Sequence, residues 1–262
     1  MNPEILPVVV YRSDLEKSVF THISQSAGLG PPVLVESCGM EEAARRVADI
    51  TDGVLFAVLS PIHSDGGLCH DTEDTTFVTL DRHDDIDRDH HLPYHNGGFL
   101  TNRGGNSVVY GSGNLNEAHT RAFQTCSYSP GRIRRLMRAG GEELLDNVKD
   151  DVVLSLDMEV LGPDEINSVG HPNNSCYNAL QRGLGFRPQL TSPEVRDIAS
   201  LFVDYRVAGI TVAEYRPEKD DRLRVNGSFV VPSVATNLVV EHTKHLVEVM
   251  RLSHVRRSEK IA

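Results

Sequence analysis

Six residues in a row, Val54-Leu55-Phe56-Ala57-Val58-Leu59, offer no polar side chain to water. A β-strand turns alternate side chains to opposite faces, so a run that is apolar at every position has to be covered on both. That is the condition of a strand inside a parallel sheet with helices on each side. The run is short for a buried helix, and Ser60-Pro61 ends it. Other segments fit the same plan. Ile5 to Tyr11, Val33 to Val35, Thr76 to Leu80, Ser107 to Tyr110, Val152 to Glu159 and Gly209 to Glu214 read as further strands. Helical spacing appears from Met40 to Ile50, with Ala43, Ala44, Val47, Ala48 and Ile50 on one stripe closed by Asp52-Gly53. Ser129-Pro130 opens a helix through Ile133, Leu136 and Met137 to Gly140-Gly141, and Ser192-Pro193-Glu194 another with Val195, Ile198, Ala199, Phe202 and Val203. A last helix covers Val234 to Leu252. The alternation predicts a three-layer α/β/α fold with a mainly parallel central sheet, and 262 residues suit one domain, 1–262.

In such a sheet ligands bind beyond the carboxyl ends of the strands. Four predicted strands run out into candidate chemistry there: His63; Asp81, His83 and Asp85; Asp157 and Glu159; and Glu214. At strand period Asp81 and His83 point one way, and Asp85 can curl back to them. Alone, the stretch from Asp81 to His91 would pass for a solvated polar loop. Unconnected loops would not place acids and histidines at the ends of four separate strands. Carboxylates mixed with imidazoles suit a first-row dication such as Mn²⁺, whereas a closed structural zinc site usually takes cysteine. Cys38, Cys69, Cys126 and Cys176 are scattered, with no Cys-x-x-Cys pair and no disulfide framework, which points to a reducing cytosol and a cytoplasmic protein. The net charge of −11 disfavours nucleic acid and anionic membrane as partners and agrees with a cationic substrate. The first apolar run is too short to span a bilayer and has no basic leader. A homo-oligomer is compatible with all of this.

Ile62-His63-Ser64, Asp81-Arg82-His83-Asp84-Asp85, Ser155-Leu156-Asp157-Met158-Glu159-Val160-Leu161-Gly162-Pro163 and Val212-Ala213-Glu214 follow one another in the order and spacing of four blocks of the ureohydrolase superfamily, the arginases and agmatinases. The chain resembles that family over most of its length. The resemblance implies an arginase-like fold and a pair of Mn²⁺ ions, one held by His63, Asp81, Asp85 and Asp157, the other by His83, Asp81, Asp157 and Glu159. It further implies a hydroxide, generated between the ions, that attacks a guanidinium carbon to release urea. Asp85 would carry its proton to the departing amine, Glu214 would hold the guanidinium, and His95, with His90 and His91 as alternatives, would shuttle protons. Two departures stand out: Ser60-Pro61-Ile62 replaces the family's Gly-Gly-Asp, and Glu159 replaces an Asp. The residues that hold free arginine's α-carboxylate are not recognisable in Ile86-Asp87-Arg88-Asp89-His90-His91. Together with the short length and the His/Asn/Gly-rich segment that follows, this makes the chain most similar to peptide arginases, which convert peptidyl arginine to ornithine. An arginine-containing peptide is therefore the expected substrate, with agmatine or free arginine as the small-molecule alternative. A single-zinc deacetylase of the same fold, using Asp81, His83 and Asp157, is a rival, as is a binding protein with a degenerate centre. Glu214 could instead pair with Arg216, and His242 and His245 read as structural.

Overall fold

The computed structural model describes residues 3–66, 74–83, 106–112, 125–149, 151–162, 164–166, 168–169, 189–220, 224–226 and 229–261. In chain order the strands are β1 (Leu6–Tyr11), β2 (Val33–Glu36), β3 (Phe56–Leu59), β4 (Thr75–Leu80), β5 (Asn106–Tyr110), β6 (Thr125–Tyr128), β7 (Asp151–Asp157) and β8 (Arg206–Ala213), followed by the short β9 (Arg224–Asn226) and β10 (Phe229–Val231). The helices are α1 (Asp14–Ser26), α2 (Met40–Thr51), α3 (Pro130–Arg138), α4 (Ser192–Ser200) and α5 (Val234–Ile261). β1 to β8 form one sheet in the order β2-β1-β3-β8-β7-β4-β5-β6, with every neighbouring pair parallel. β9 and β10 pair antiparallel apart from it. The three-layer parallel architecture predicted from the strand–helix alternation is therefore the one observed.

Alternation along each strand divides the core in two. Val9, Ala57, Leu59, Val78, Leu80, Leu154 and Leu156 share one cluster with Val19 and Phe20 of α1, Ile133 of α3, Ile198 of α4 and Val239 and Leu246 of α5. Val8, Val10, Phe56, Val58, Phe77 and Val153 share the other with Ala43 and Val47 of α2. One glycine makes the second face possible. Gly209 of β8 lies in register with Phe56, whose ring would be only 2.1 Å from any Cβ placed there.

The boundaries depart from expectation where tertiary packing decides them. Val54 stays 42% exposed and the ladder begins at Phe56, so the founding apolar run is covered on both faces only over its second part. α1 was not predicted, although Ser13 accepts the Glu16 N–H at 3.2 Å as its cap and Arg12 donates its own N–H to the Glu16 carboxylate at 2.5 Å. β6 and the β9–β10 ribbon were likewise missed. β8 begins at Arg206 rather than Gly209, α5 continues past Leu252 to Ile261, and Phe202 and Val203 belong to a 3-10 turn after α4. Cys38 and Cys126 are free thiols, and Cys69 and Cys176 lie outside the described residues. Among the described residues no helix is long and apolar enough to cross a membrane.

Candidate metal centre

Because the sheet is parallel throughout, all its carboxyl ends lie along one rim, and β3, β8, β7 and β4 are contiguous there. Asp81 directly follows β4, Asp157 ends β7, Glu214 directly follows β8, and His63 opens the 3-10 turn His63–Gly66 that follows β3. All four are buried. One ligand atom from each of His63, Asp81 and Asp157 lies within 4.8 Å of the others.

The two aspartates are built alike. Oδ1 of Asp81 accepts the backbone N–H of His83 at 2.8 Å, and Oδ1 of Asp157 accepts that of Glu159 at 2.7 Å. Each side chain thereby curls the chain beyond its strand and leaves Oδ2 aimed at Nδ1 of His63, at 3.2 Å from Asp81 and 3.4 Å from Asp157. This corrects two expected details. Asp81 and His83 do not alternate along a strand, since β4 ends at Leu80, and Glu159 sits in the turn Met158–Val160 rather than on β7. The turns still bring both side chains to the centre: Nδ1 of His83 lies 3.4 Å from Oε2 of Glu159 and 3.7 Å from Oδ1 of Asp81. Gly111, at φ 113°, lets this region close, because a Cβ there would meet Val160 Cγ2 at 2.6 Å and the Asp81 carbonyl oxygen at 2.8 Å.

His63 is oriented from behind. Its Nε2 lies 2.7 Å from Oγ of Ser155 and 3.4 Å from Oγ1 of Thr79, and Thr211 donates its hydroxyl to Ser155 at 2.6 Å. Thr79, Ser155 and Thr211 are register partners on β4, β7 and β8, so a buried row of hydroxyls crosses three strands beneath the imidazole. Holding Nε2 in this way turns Nδ1 towards the acids, as an outer hydrogen bond does for metal-binding histidines generally. His63's backbone is held as well, its N–H donating to Oε1 of Glu214 at 3.2 Å. Within the same turn Asp65 is fully buried, accepting from Ser60 Oγ at 2.5 Å and from Arg12 Nη2 at 3.2 Å. Burial raises the Asp65 carboxyl above its ordinary range despite these partners.

The charges do not balance among the described side chains. Burial, then the charges of Asp81 and Glu159, push the Asp157 carboxyl well above its ordinary range, with His63 opposing them. Burial acts on Asp81 in the same sense, but His63 and His83 outweigh it and hold that carboxyl low. Oδ2 of Asp81 is buried and accepts no hydrogen bond among the described residues. A dication between these oxygens and Nδ1 of His63 would relieve the repulsion and give the orphaned oxygen a partner. The oxygen and imidazole donors suit Mn²⁺ or Zn²⁺, so the residues present fit a metal ion.

Of the residues singled out from the sequence, His63, Asp81 and Asp157 converge, His83 and Glu159 adjoin them, and Glu214 accepts the His63 backbone N–H while also contacting Arg216. Asp85, His90, His91 and His95 lie outside the described residues. His242 is buried at some remove, with Nε2 3.0 Å from Ser192 Oγ, and His245 Nε2 lies 3.0 Å from the Arg196 carbonyl oxygen. Ser155, Thr79 and Thr211 were not foreseen. Ser155 and Thr79 each stand two residues before a site aspartate, and strand period alone puts them on its side.

No protein-family model matches the chain. No curated protein sequence matches it either. Solved structures do. The proclavaminate amidino hydrolase of Streptomyces clavuligerus superposes with a TM-score of 0.69 at 14% identity, covering 96% of this chain and 93% of that one. The agmatine ureohydrolase of Thermoplasma volcanium gives 0.69 at 15% identity, covering 97% and 92%. A variant formiminoglutamase of Trypanosoma cruzi, described with Mn²⁺, gives 0.64 at 15% identity, covering 95% and 94%. The fold of this chain is thus the arginase-like α/β fold of those amidino and guanidino hydrolases.

Proposed function

We propose that this chain is a metal-dependent hydrolase of a guanidino group, cleaving a C–N bond of arginine side chains in a peptide to leave ornithine and urea. The observation that carries the reading is the convergence of His63, Asp81 and Asp157, with His83 and Glu159 against them, on the carboxyl rim of a fold shared with solved amidino and guanidino hydrolases. His63, Asp81 and Asp157, joined by Asp85, would hold one Mn²⁺; His83 and Glu159, sharing Asp81 and Asp157, would hold a second. Bound dications supply Lewis-acid polarisation and a nucleophile at neutral pH. The chain's own residues do the rest. Ser155 fixes the His63 ring, Glu214 orients the guanidinium through charge-assisted hydrogen bonds, Asp85 carries a proton to the leaving amine, and His95 exchanges it with solvent. A peptide is preferred over free arginine because Ile86-Asp87-Arg88-Asp89-His90-His91 does not match a seat for an α-carboxylate.

The test is to incubate the Mn²⁺-loaded protein separately with an arginine-containing peptide, agmatine and free arginine. The expected result is a mass loss of about 42 Da (CN₂H₂) on the peptide, with urea released. Turnover of agmatine alone would move the substrate to a small amine, and turnover of none would remove the reading. One observation fits a single-ion centre such as a single-zinc deacetylase has: among the described residues, only His63, Asp81 and Asp157 bring three ligand atoms within 4.8 Å, with His63 standing where that reading has His83. Metal analysis separates the two, with two Mn²⁺ per chain expected here against one zinc for the deacetylase.

A further inference from the structure

Glu214 already carries a guanidinium, that of Arg216. Oε2 of Glu214 accepts a hydrogen bond from Nη2 of Arg216 at 3.3 Å, while Oε1 is engaged by the His63 N–H. Glu214 is the one non-glycine residue with positive φ among the described residues, at 62°. L-residues avoid this region, and such outliers persist where the surroundings over-determine them. The backbone, rather than a chance rotamer, therefore sets where this carboxylate sits.

Arg216 is anchored by its main chain and only loosely by its side chain. Its N–H donates to the Ser168 carbonyl oxygen at 2.7 Å, and the preceding Tyr215 pairs with Val169. The guanidinium makes a single long contact to Glu214, and Nε is buried without a hydrogen-bond acceptor among the described residues. Two structural arginines of the same chain look different, while Arg12, like Arg216, holds its carboxylate, that of Asp65, through Nη2 alone. Arg134 grips Glu194 through Nε at 2.6 Å and Nη2 at 3.0 Å, and also reaches the Gln189 carbonyl oxygen at 2.6 Å. Arg206 likewise uses both Nε and Nη2 on Asp151. A two-point fork is the strong form of this pair, and Arg216 forgoes it.

We propose that Arg216 is an affinity-setting residue, an internal guanidinium that rests on Glu214 and yields that seat to the guanidinium of the substrate. The proposal rests on the reading of Glu214 as the guanidinium-holding carboxylate. A planar guanidinium able to fork on Glu214 outcompetes the single contact of Arg216. An ammonium, a point charge without the fork, gains less from the exchange. Displacing Arg216 costs the same whichever cation enters, so the fork on Glu214 carries the preference for guanidinium, and after hydrolysis Arg216 reclaims the seat from the more weakly held amine product.

The experiment titrates methylguanidinium and methylammonium into Mn²⁺-loaded wild type, Arg216→Gln and Arg216→Lys, with dissociation constants read by NMR and folding checked by thermal melts. Removing a partly buried single contact should tighten methylguanidinium binding roughly five- to tenfold in R216Q, with methylammonium gaining by a similar factor, so that the preference for methylguanidinium is kept. R216K is expected between wild type and R216Q, and it serves alone should R216Q not fold. Equal or weaker methylguanidinium binding in the variants, or binding to none of the proteins, overturns the proposal. Urea release from an arginine peptide is followed in parallel. Tighter binding in R216Q with no urea from any of the proteins would leave the proposal standing and remove the hydrolase reading.

Discussion

Two buried histidines in this chain are anchored in the same way and used differently. His63 and His242 each set Nε2 against a serine hydroxyl, Ser155 at 2.7 Å and Ser192 at 3.0 Å. What differs is the field around the ring. Nδ1 of His63 faces two buried carboxylates, whereas the charged groups acting on His242 are Arg196 and His245, which add to burial and bring its pKa down to about 4. Burial and a serine suit a core histidine. A pair of acids at the other nitrogen adds what could hold a cation, and neither the imidazole nor its burial distinguishes the two.

The comparison breaks most sharply at the acids. Asp157→Ala removes a carboxylate that faces His63 and holds the Glu159 turn, so it should abolish Mn²⁺ retention and lower guanidino hydrolysis by roughly a thousandfold or more. Metal content by atomic emission and urea release measure this. A variant that kept both would show that the cluster is only a crowded polar core. His242→Gln, its counterpart, should leave the metal content unchanged.

Acid separates the two histidines in the opposite sense. An unfolded-state histidine titrates near 6.5 and native His242 near 4, so between these values the unfolded chain binds a proton that the native chain does not. The stability that His242 contributes as a neutral ring is thus complete above about pH 6.5, falls as pH drops, and is gone near pH 4. The loss is on the order of 3 kcal/mol. Urea denaturation of metal-free protein across this window should show a steeper decline for wild type than for H242Q. Parallel curves would mean that the ring is solvated or already charged.

How much of this could be read beforehand depends on the range of each interaction. The sheet and four strand ends were legible because apolar runs and the charges that close them are neighbours in sequence: Val58-Leu59 before His63, Leu80 before Asp81, Leu156 before Asp157 and Ala213 before Glu214. The anchor of His63 was only half legible. Ser155 and Thr79 follow from strand period once the aspartates are identified, but Thr211 enters through the register of β7 with β8, which no local pattern encodes. α1 hid behind a polar surface even though Ser13 and Glu16 mark its start. The positive φ of Glu214 left no trace at all, since glutamate is not a residue that signals it. Glu214 had two competing readings, an arginine partner or a place in the site, and the structure gives it contacts of both kinds, to Arg216 and to His63.

The finest test concerns the two serines, because they are what the histidines have in common. Ser155→Ala leaves the acids and the ring in place but frees Nε2, so the His63 tautomer and orientation are no longer fixed by that hydroxyl. Loss of such an outer partner typically weakens metal binding roughly 10- to 100-fold. Mn²⁺ affinity measured by chelator competition should fall within that span. Unfolding of the metal-free protein should shift by about 1–3 kcal/mol, because the buried Thr211 hydroxyl loses its acceptor as well. Ser192→Ala removes the matching contact from His242 and the hydroxyl's hydrogen bond to Glu165, leaving those of the Ser192 backbone N–H, so it should cost similar stability and no metal affinity. Equal effects of the two substitutions on Mn²⁺ binding would mean that Ser155 serves packing alone. An effect confined to S155A would place the row of hydroxyls beneath His63 within the machinery that holds the ion.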